Sequence, residues 1–258
     1  MDARTGFVTQ LGMDHSRAIA KAGDLGFDYV ELMMDGAGAR TRLDEHRAEL
    51  RDALDAAGLS LLVHLPFGGI DIGSPFGHVR EGSVREVEAA LDTAAGLDAE
   101  KAVLHASTNV WSPAWDVSEV RPHLFDSVRR LDAAGDERGV EVCVENIPRG
   151  KFATSDFADL FDATDASMTF DTGHARIDGY DGDGMANFAA AHGGRVSHFH
   201  LNDTRQAHDE HLPFGAGDID FAAIFGALGD WTGTLSLEVF THDYGYIETS
   251  KERLDALL

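Results

Sequence analysis

The stretch Gly139-Val-Glu-Val-Cys-Val-Glu-Asn146 has valine at every second position, and Glu141, Cys143 and Glu145 fill the positions between. A period of two is typical of a β-strand, in which successive side chains point to opposite faces. We predict that the valine face packs against helices and that the other face points into a barrel. Glu145 would then point inward at the end of its strand.

Outward from this stretch, short apolar strands alternate with helical patterns along the whole chain. This alternation predicts parallel β/α units. We predict eight strands, at residues 5–11, 28–34, 59–66, 101–107, 140–146, 167–173, 195–202 and 233–240. Barrels of about 250 residues routinely form one domain, and no linker-like tract divides the chain. The predicted fold is therefore a single (β/α)8 TIM barrel of the α/β class, one domain over residues 1–258.

The composition limits the expected cellular location and the residue types that could bind a metal. No segment approaches roughly 18 consecutive apolar residues, and the first twenty residues do not follow a signal-peptide pattern. We therefore expect a cytoplasmic protein that does not engage a membrane. Cys143 is the only cysteine, which excludes an internal disulfide and a cysteine-based zinc site. Any metal must be held by histidine and carboxylate.

The chain is strongly acidic, with 45 acidic and 21 basic residues and a formal net charge of −24. Only four of the basic residues are lysine, so we interpret the surface as halophilic, with an ordinary acidic soluble protein as the alternative. Such a surface repels nucleic acid at ordinary ionic strength, because backbone binding depends on Lys and Arg. In molar salt the Debye length shrinks to roughly 3 Å, so net charge alone does not exclude DNA as a partner.

Six predicted strands end in a side chain that can bind metal. The parity that directs Glu145 inward also directs Asp171 and Glu238 inward, and three histidines lie at or near strand ends. A single buried histidine or glutamate has an ordinary structural explanation, but that explanation does not account for six metal-capable residues at one end of the strands. Active sites of such barrels lie at that same end. We predict a divalent-metal site at this rim. The six residues are His64, His105, Glu145, Asp171, His200 and Glu238.

Two further segments add candidate ligands. His174 lies three residues after Asp171, across a predicted transition from strand to loop, and Asp209 and His211 lie in the loop after the seventh strand. Imidazole and carboxylate together suit several ions, and we expect Mn, Zn, Co, Mg or Fe without a choice among them. These loop residues could hold further metal or contact substrate.

The chain resembles the xylose isomerase-like TIM barrel superfamily, which joins sugar phosphate isomerases and epimerases with endonuclease IV (AP endonuclease family 2). The resemblance runs from about residue 5 to about residue 240. It rests on the following motifs: His64-Leu65-Pro66-Phe67 with Ile72-Gly73-Ser74-Pro75, His105, Glu145-Asn146, Asp171-x-x-His174, His200-Leu201-Asn202-Asp203, Asp209-x-His211 with its Gly-x-Gly-Asp turn, and Glu238.

Resemblance to the isomerases implies one metal held by Glu145, Asp171, His200 and Glu238. The two glutamates would also be the catalytic residues, exchanging protons with a sugar carbon while the metal stabilises an enediolate. His174 would steady a substrate oxygen.

Resemblance to endonuclease IV implies instead up to three zinc ions and cleavage of abasic-site DNA. Its nine ligand positions would be His64, His105, Glu145, Asp171, His174, His200, Asp209, His211 and Glu238, and all carry suitable residues. Other marks of that enzyme are weak here. The chain has Thr5-Gly6-Phe7-Val8-Thr9 where endonuclease IV has a Gly-Ala-His-Val-Ser motif, and no Lys/Arg cluster occurs in the strand-end loops.

Four residues are candidates for substrate contact. Phe67 and Trp111 could stack on a sugar ring, or pack only between loops. Arg205 lies five residues after His200 and could bind a substrate hydroxyl or phosphate. The resemblance to the epimerases implies such an arginine near this point, but their usual spacing is one residue longer. Glu31 ends the second strand with inward parity and could contact substrate or brace the site.

Taken together, the residues favour an enzyme acting on a small-molecule sugar or polyol. The alternatives are the trinuclear zinc phosphodiesterase and a non-catalytic metal- or sugar-binding barrel. The binder would be expected to lack one of the two glutamates, and both are present. Relatives commonly form dimers or tetramers, which makes a homo-oligomer an expectation as well.

Overall fold

A computed structural model of the chain describes residues 2–149, 152–205 and 208–258. Eight β-strands occur in this part of the chain, each five or six residues long, and all neighbouring strands pair in parallel. The strands are β1 (Asp2–Phe7), β2 (Tyr29–Met33), β3 (Ser60–His64), β4 (Lys101–His105), β5 (Glu141–Glu145), β6 (Ser167–Asp171), β7 (Val196–Leu201) and β8 (Thr232–Leu237).

The sheet runs in the order β1-β8-β7-β6-β5-β4-β3-β2, so the first and second strands stand at its two ends. A parallel bridge between Val8 and Glu31, with the Thr9 N–H donating to the Glu31 carbonyl at 2.9 Å, joins those ends. The sheet thereby forms a nearly closed barrel with helices between its strands. The predicted (β/α)8 architecture is confirmed.

Aspartate is the N-cap residue of most of the helices between the strands. Its side chain accepts a backbone N–H at the N-cap of six helices, which satisfies a donor that the helix itself leaves free. The helices are α1 (His15–Asp24), α2 (Arg40–Glu45), α3 (Arg47–Ala57), α4 (Gly77–Gly96), α5 (Val117–Asp136), α6 (Phe157–Ala163), α7 (Thr172–Ile177), α8 (Gly182–His192), α9 (Phe221–Leu228) and α10 (Tyr244–Asp255). No helix in the described ranges is both long and apolar enough to cross a bilayer.

Several predicted strand boundaries are wrong, most of all those of the first strand, and the end of the sixth strand bears on the site. The first strand begins at Asp2 rather than residue 5, because polar Asp2–Arg4 still pair with Thr232–Thr234 of β8, and it ends at Phe7 rather than residue 11. The sixth strand ends at Asp171 rather than residue 173. Thr172 begins α7 directly, with Asp171 as its N-cap, so the expected loop between Asp171 and His174 is a helical turn.

The two faces of β5 have the composition that parity predicts. Val140, Val142 and Val144 are buried in the apolar layer between sheet and helices, whereas Cys143 is buried inside the barrel. Burial raises the pKa of the Cys143 thiol. Polar side chains also lie inside the barrel: the Lys101 ammonium donates to the Ser197 carbonyl at 2.6 Å near the amino ends of the strands. The inward-facing positions continue to the carboxyl ends of the strands.

Candidate metal centre

Four strand ends deliver one ligand group each to a common point. Glu145 and Asp171 are the last residues of β5 and β6, His200 is the penultimate residue of β7, and Glu238 directly follows β8. All four are at most 4% exposed. One nitrogen or carboxylate oxygen from each lies within 4.8 Å of the other three. The strand arrangement accounts for this convergence, because β5 to β8 are consecutive neighbours that run parallel and so have their carboxyl ends on the same side.

Two carboxylate oxygens of this group lack hydrogen-bond partners. Glu145 Oε2 and Glu238 Oε2 are buried, and neither accepts a hydrogen bond within the described structure. Imidazole nitrogens approach them at 2.8 Å (His105 Nε2) and 3.2 Å (His200 Nδ1), but without hydrogen-bond geometry. An unpaired buried carboxylate oxygen is costly unless a cation neutralises it. The donor set of three carboxylates and one imidazole therefore fits a divalent metal ion.

The protonation state of this group reflects a shortage of positive charge. Burial raises the pKa of Asp171 to about 7, and the carboxylates of Glu238 and Glu145 add to the rise although His174 opposes it. Burial by itself would lower the pKa of His200, but the carboxylates of Glu238, Glu31 and Glu145 raise it well above its ordinary value. Protons thus occupy the position where a cation could supply the charge.

A second group shares Glu145. His105 Nε2 lies 2.8 Å and His64 Nε2 lies 3.6 Å from Glu145 Oε2. The other ring nitrogen of His64, Nδ1, is 3.1 Å from the carbonyl of Leu65, which leaves Nε2 facing the glutamate. One ligand atom from each of the three residues lies within 4.8 Å of the others. Glu145 therefore stands between two clusters that could each hold a metal.

A third group lies at the mouth of the barrel. Asp209 is 3.3 Å from His174 Nε2 and 2.9 Å from His211 Nε2, and these three residues also satisfy the 4.8 Å condition. The carboxylates of Glu238 and Asp209 overcome burial and raise the pKa of His211 to about 10. His211 has a φ of 43°, a left-handed conformation that costs a non-glycine residue free energy. The loop holds the ring at Asp209 in spite of that cost.

Sequence reasoning gives no role to two asparagines, although each directly follows a strand-end segment. The Asn202 side chain donates to Asp171 Oδ2 at 2.7 Å, and Asn146 accepts from the Asp171 N–H at 2.7 Å and donates to its carbonyl at 3.1 Å. These bonds fix the position of the Asp171 carboxylate. An asparagine directly after the last residue of a strand is the signal that could have found them. Sequence reasoning also misses His198, a buried neighbour of Glu31.

The four residues predicted to contact substrate lie in four different environments. The Phe67 ring stacks on His105 with 4.5 Å between centroids. Glu31 is fully buried, 3.0 Å from His200 Nε2, which favours the bracing role over substrate contact. Trp111 is 73% exposed on the loop after β4. Arg205 pairs with Glu210 at 3.4 Å rather than with any of the nine candidate ligands.

An apolar cavity of about 350 Å³ lies at the same end of the barrel. Phe67 and Phe240 both line it, and the Phe240 ring stacks on His211 with 3.9 Å between centroids. The remaining lining residues are Gln10, Leu11, Met33, Thr241 and His242. The candidate ligands thus adjoin a space that a small molecule can enter.

Comparison with known proteins identifies the family to which this fold belongs. A family model described as xylose isomerase-like TIM barrel matches residues 19–257. Two uncharacterised proteins of Methanocaldococcus jannaschii are each 26% identical to the chain. The first match spans 233 residues, 86% of this chain and 78% of the relative, and the second spans 224 residues, 84% of each.

Solved structures share the fold over nearly the whole chain. A D-tagatose 3-epimerase-like protein superposes with a TM-score of 0.85 at 24% identity, covering 98% of this chain and 96% of the other. A D-allulose 3-epimerase from Methylomonas sp. gives 0.84 at 19% identity, covering 100% and 98%. A protein from Thermus thermophilus, soaked with ZnCl2, gives 0.74 at 27% identity, covering 100% and 98%.

Proposed function

The chain belongs to the xylose isomerase-like TIM barrel family, and from that premise we propose that it is a divalent-metal-dependent isomerase or epimerase of a sugar, sugar phosphate or related polyol. The observation that carries the proposal is the convergence of Glu145, Asp171, His200 and Glu238, with ligand atoms within 4.8 Å of one another. Two of these four are glutamates, so the same cluster holds both ligands and bases.

The four residues would hold the metal through one carboxylate oxygen each and through His200 Nδ1, the ring nitrogen that faces Glu145 and Glu238 at 3.2 Å. When bound, a divalent cation supplies the positive charge that stabilises the oxygens of a sugar next to a carbon-bound proton. The unpartnered oxygens of Glu145 and Glu238 support this assignment.

The two glutamates are suited to move a proton at a sugar carbon. Although burial acts in the other direction, neighbouring histidines hold the pKa of both Glu145 and Glu238 well below its ordinary value. Each carboxylate is therefore ionised near neutral pH and able to accept a proton. Glu145 and Glu238 extend from opposite sides of β6 and β7, so each could serve one face of a substrate lying between them.

His174 would orient a substrate oxygen. Its Nδ1 lies 2.8 Å from the Asn146 carbonyl, and its Nε2 faces Asp209 at 3.3 Å. The names of two solved neighbours, a D-tagatose 3-epimerase-like protein and a D-allulose 3-epimerase, support sugar epimerisation as the reaction class, and both share the fold with this chain.

Replacing either glutamate tests the proposal. Glu145→Gln and Glu238→Gln should each abolish exchange of solvent hydrogen into candidate ketoses, because an amide cannot accept the proton. Glu141→Gln is the matched control, since Glu141 lies inward on the same strand but pairs with Ser167 at 2.7 Å, away from the cluster. Circular dichroism checks that all variants fold. Full exchange activity in both site variants would refute the proposal.

A second candidate function is a trinuclear zinc phosphodiesterase that acts on abasic-site DNA. The observation in its favour is that the nine candidate ligands fall into three separate metal-capable groups, two of them sharing Glu145. Three zinc ions, when bound, supply the charge that phosphodiester hydrolysis needs. The net charge of −24 and the pairing of Arg176 and Arg205 with acidic side chains weigh against DNA as substrate.

Metal content separates the two candidates. The phosphodiesterase requires one zinc for each of the three groups and incision of abasic-site DNA at high salt. Elemental analysis of zinc-loaded protein counts the ions, and a labelled abasic duplex reports incision. Folded, zinc-loaded protein that leaves the duplex intact would eliminate the second candidate.

A further inference from the structure

Glu31 is a fully buried carboxylate beneath the candidate metal centre. It lies on β2, across the barrel from the strand that carries His200. Three donors reach it: His200 Nε2 at 3.0 Å on Oε1, and His198 Nε2 at 3.1 Å and Ser236 Oγ at 2.5 Å on Oε2. Both oxygens are therefore occupied from within the barrel, and the side chain has no access to a substrate.

The hydrogen bonds around His198 show which atoms donate. Its Nε2 donates to Glu31 Oε2 at 3.1 Å, because a carboxylate oxygen accepts, and its Nδ1 lies 2.7 Å from the Thr234 hydroxyl and 3.1 Å from the Thr234 carbonyl. His198 and Ser236 thus hold the Glu31 carboxylate in one orientation.

The two nitrogens of His200 face opposite ways. Nε2 points down to Glu31, and Nδ1 lies 3.2 Å from both Glu145 Oε1 and Glu238 Oε2. A histidine binds metal through one unprotonated nitrogen while the other nitrogen keeps its proton and donates it. A fixed acceptor on the Nε2 side therefore decides which nitrogen faces the metal.

We propose that Glu31 is a positioning residue that fixes the tautomer and ring orientation of His200, so that Nδ1 presents its lone pair to the cation. The inference rests on the proposed function only in requiring that a divalent cation binds at this cluster. Through the charge of Glu31, the imidazole also becomes a stronger ligand.

A separate metal ion held by Glu31, His198 and His200 is the competing explanation, since these residues also come within 4.8 Å of one another. The hydrogen bonds argue against it. Each polar atom of the three side chains already makes a hydrogen bond within the described structure, whereas Glu145 Oε2 and Glu238 Oε2 in the neighbouring cluster make none.

Metal affinity measured by competition with a chelating indicator tests the inference. Glu31→Gln should weaken Co²⁺ and Zn²⁺ binding by roughly 10–100-fold, the range found for groups that orient a metal-binding histidine. The amide still accepts a hydrogen bond but lacks the charge, and its NH2 opposes one of the donors. Glu141→Gln, which replaces an inward glutamate that pairs with Ser167, should bind like the wild type.

The outcomes separate this inference from the proposed function. A wild type that binds neither ion overturns the proposed function. A wild type that binds tightly, with a folded Glu31→Gln variant of equal affinity, overturns the role of Glu31 alone.

A measurement on the unmodified protein covers the case in which Glu31→Gln does not fold. In ¹⁵N-resolved spectra of zinc-loaded wild type, His200 should show a proton on Nε2 and none on Nδ1. A His200 protonated on Nδ1 would overturn the inference. Ser236→Ala removes only one of the three bonds to Glu31 and should weaken binding in the same direction but less.

Discussion

Glu145 contacts a histidine from each of the three candidate groups: His105 at 2.8 Å, His200 at 3.2 Å and His174 at 3.4 Å. It is 1% exposed, so these contacts are shielded from solvent. The residue that the first valine-rich stretch directs inward is therefore the one that contacts all three candidate groups. Both candidate functions, the isomerase or epimerase and the phosphodiesterase, are compatible with this position, because a carboxylate can bind one metal ion or bridge two.

The affinity of the cluster for a metal should rise with pH. The pKa of Asp171 is about 7 and that of His200 lies well above its ordinary value, so below neutral pH both carry protons that a cation must displace. Apparent affinity should therefore increase from about pH 6 to about pH 8, with protons released on binding. Calorimetry in buffers of different ionisation enthalpy counts those protons. An affinity independent of pH would contradict the assigned protonation states.

At the scale of the elements, the junction of β6 and α7 does the most for the site. Asp171 ends the strand, caps the helix by accepting the His174 N–H at 2.6 Å, and offers its carboxylate to the cluster. Gly173, in the first turn, has no space for a side chain: a Cβ there would lie 1.8 Å from Asn202 Oδ1. The helix can therefore approach Asn202, which in turn holds Asp171.

Gly173→Ala should destabilise the protein by ~1–3 kcal/mol, the usual cost of overpacking, and weaken metal binding, because Asn202 must move away from Asp171. Gly82→Ala is the matched control, since Gly82 is also helical but a Cβ there meets nothing within 4 Å. The control should be neutral or stabilising by up to about 1 kcal/mol. Urea denaturation measures both, and equal stabilities would contradict the close approach.

The element boundaries also mark where sequence reasoning fails. The sequence pattern places β1 too late because its first residues are polar, and only pairing with Thr232–Thr234 makes Asp2–Arg4 a strand. It misplaces the end of β6 because Thr172 and Gly173 have weak helix propensity. The cap from Asp171 and the contact with Asn202, a residue about thirty positions away, make that turn helical. Local patterns contain neither interaction.

For the whole molecule, the net charge of −24 implies self-repulsion that salt should relieve. We predict that the thermal midpoint rises between about 0.1 M and about 2 M KCl, by about 2–4 °C for each 1 kcal/mol of repulsion removed. Differential scanning calorimetry measures the rise. A midpoint that falls or stays constant would count against the halophilic interpretation.

One acidic cluster offers a matched pair of variants for the same prediction. Burial and the charges of Asp136 and Asp165 raise the pKa of Asp132, so Asp165→Asn should increase the thermal midpoint at low salt and lose that effect at high salt. Asp255→Asn is the control, because Asp255 pairs with Lys251 at 2.7 Å and its removal relieves no such repulsion.

The sequence by itself determined the barrel, the inward direction of Glu145, Asp171 and Glu238, and the end at which the candidate ligands meet. The reason is that strand parity and the parallel arrangement of β/α units are local and repetitive, so they can be read without knowing distances. Only the tertiary structure decided that nine ligands form three groups, that Asn146 and Asn202 hold Asp171, and that Glu31 lies beneath His200. Those relations join residues as many as 169 positions apart, and they arise from the closure of the barrel and the register between its strands.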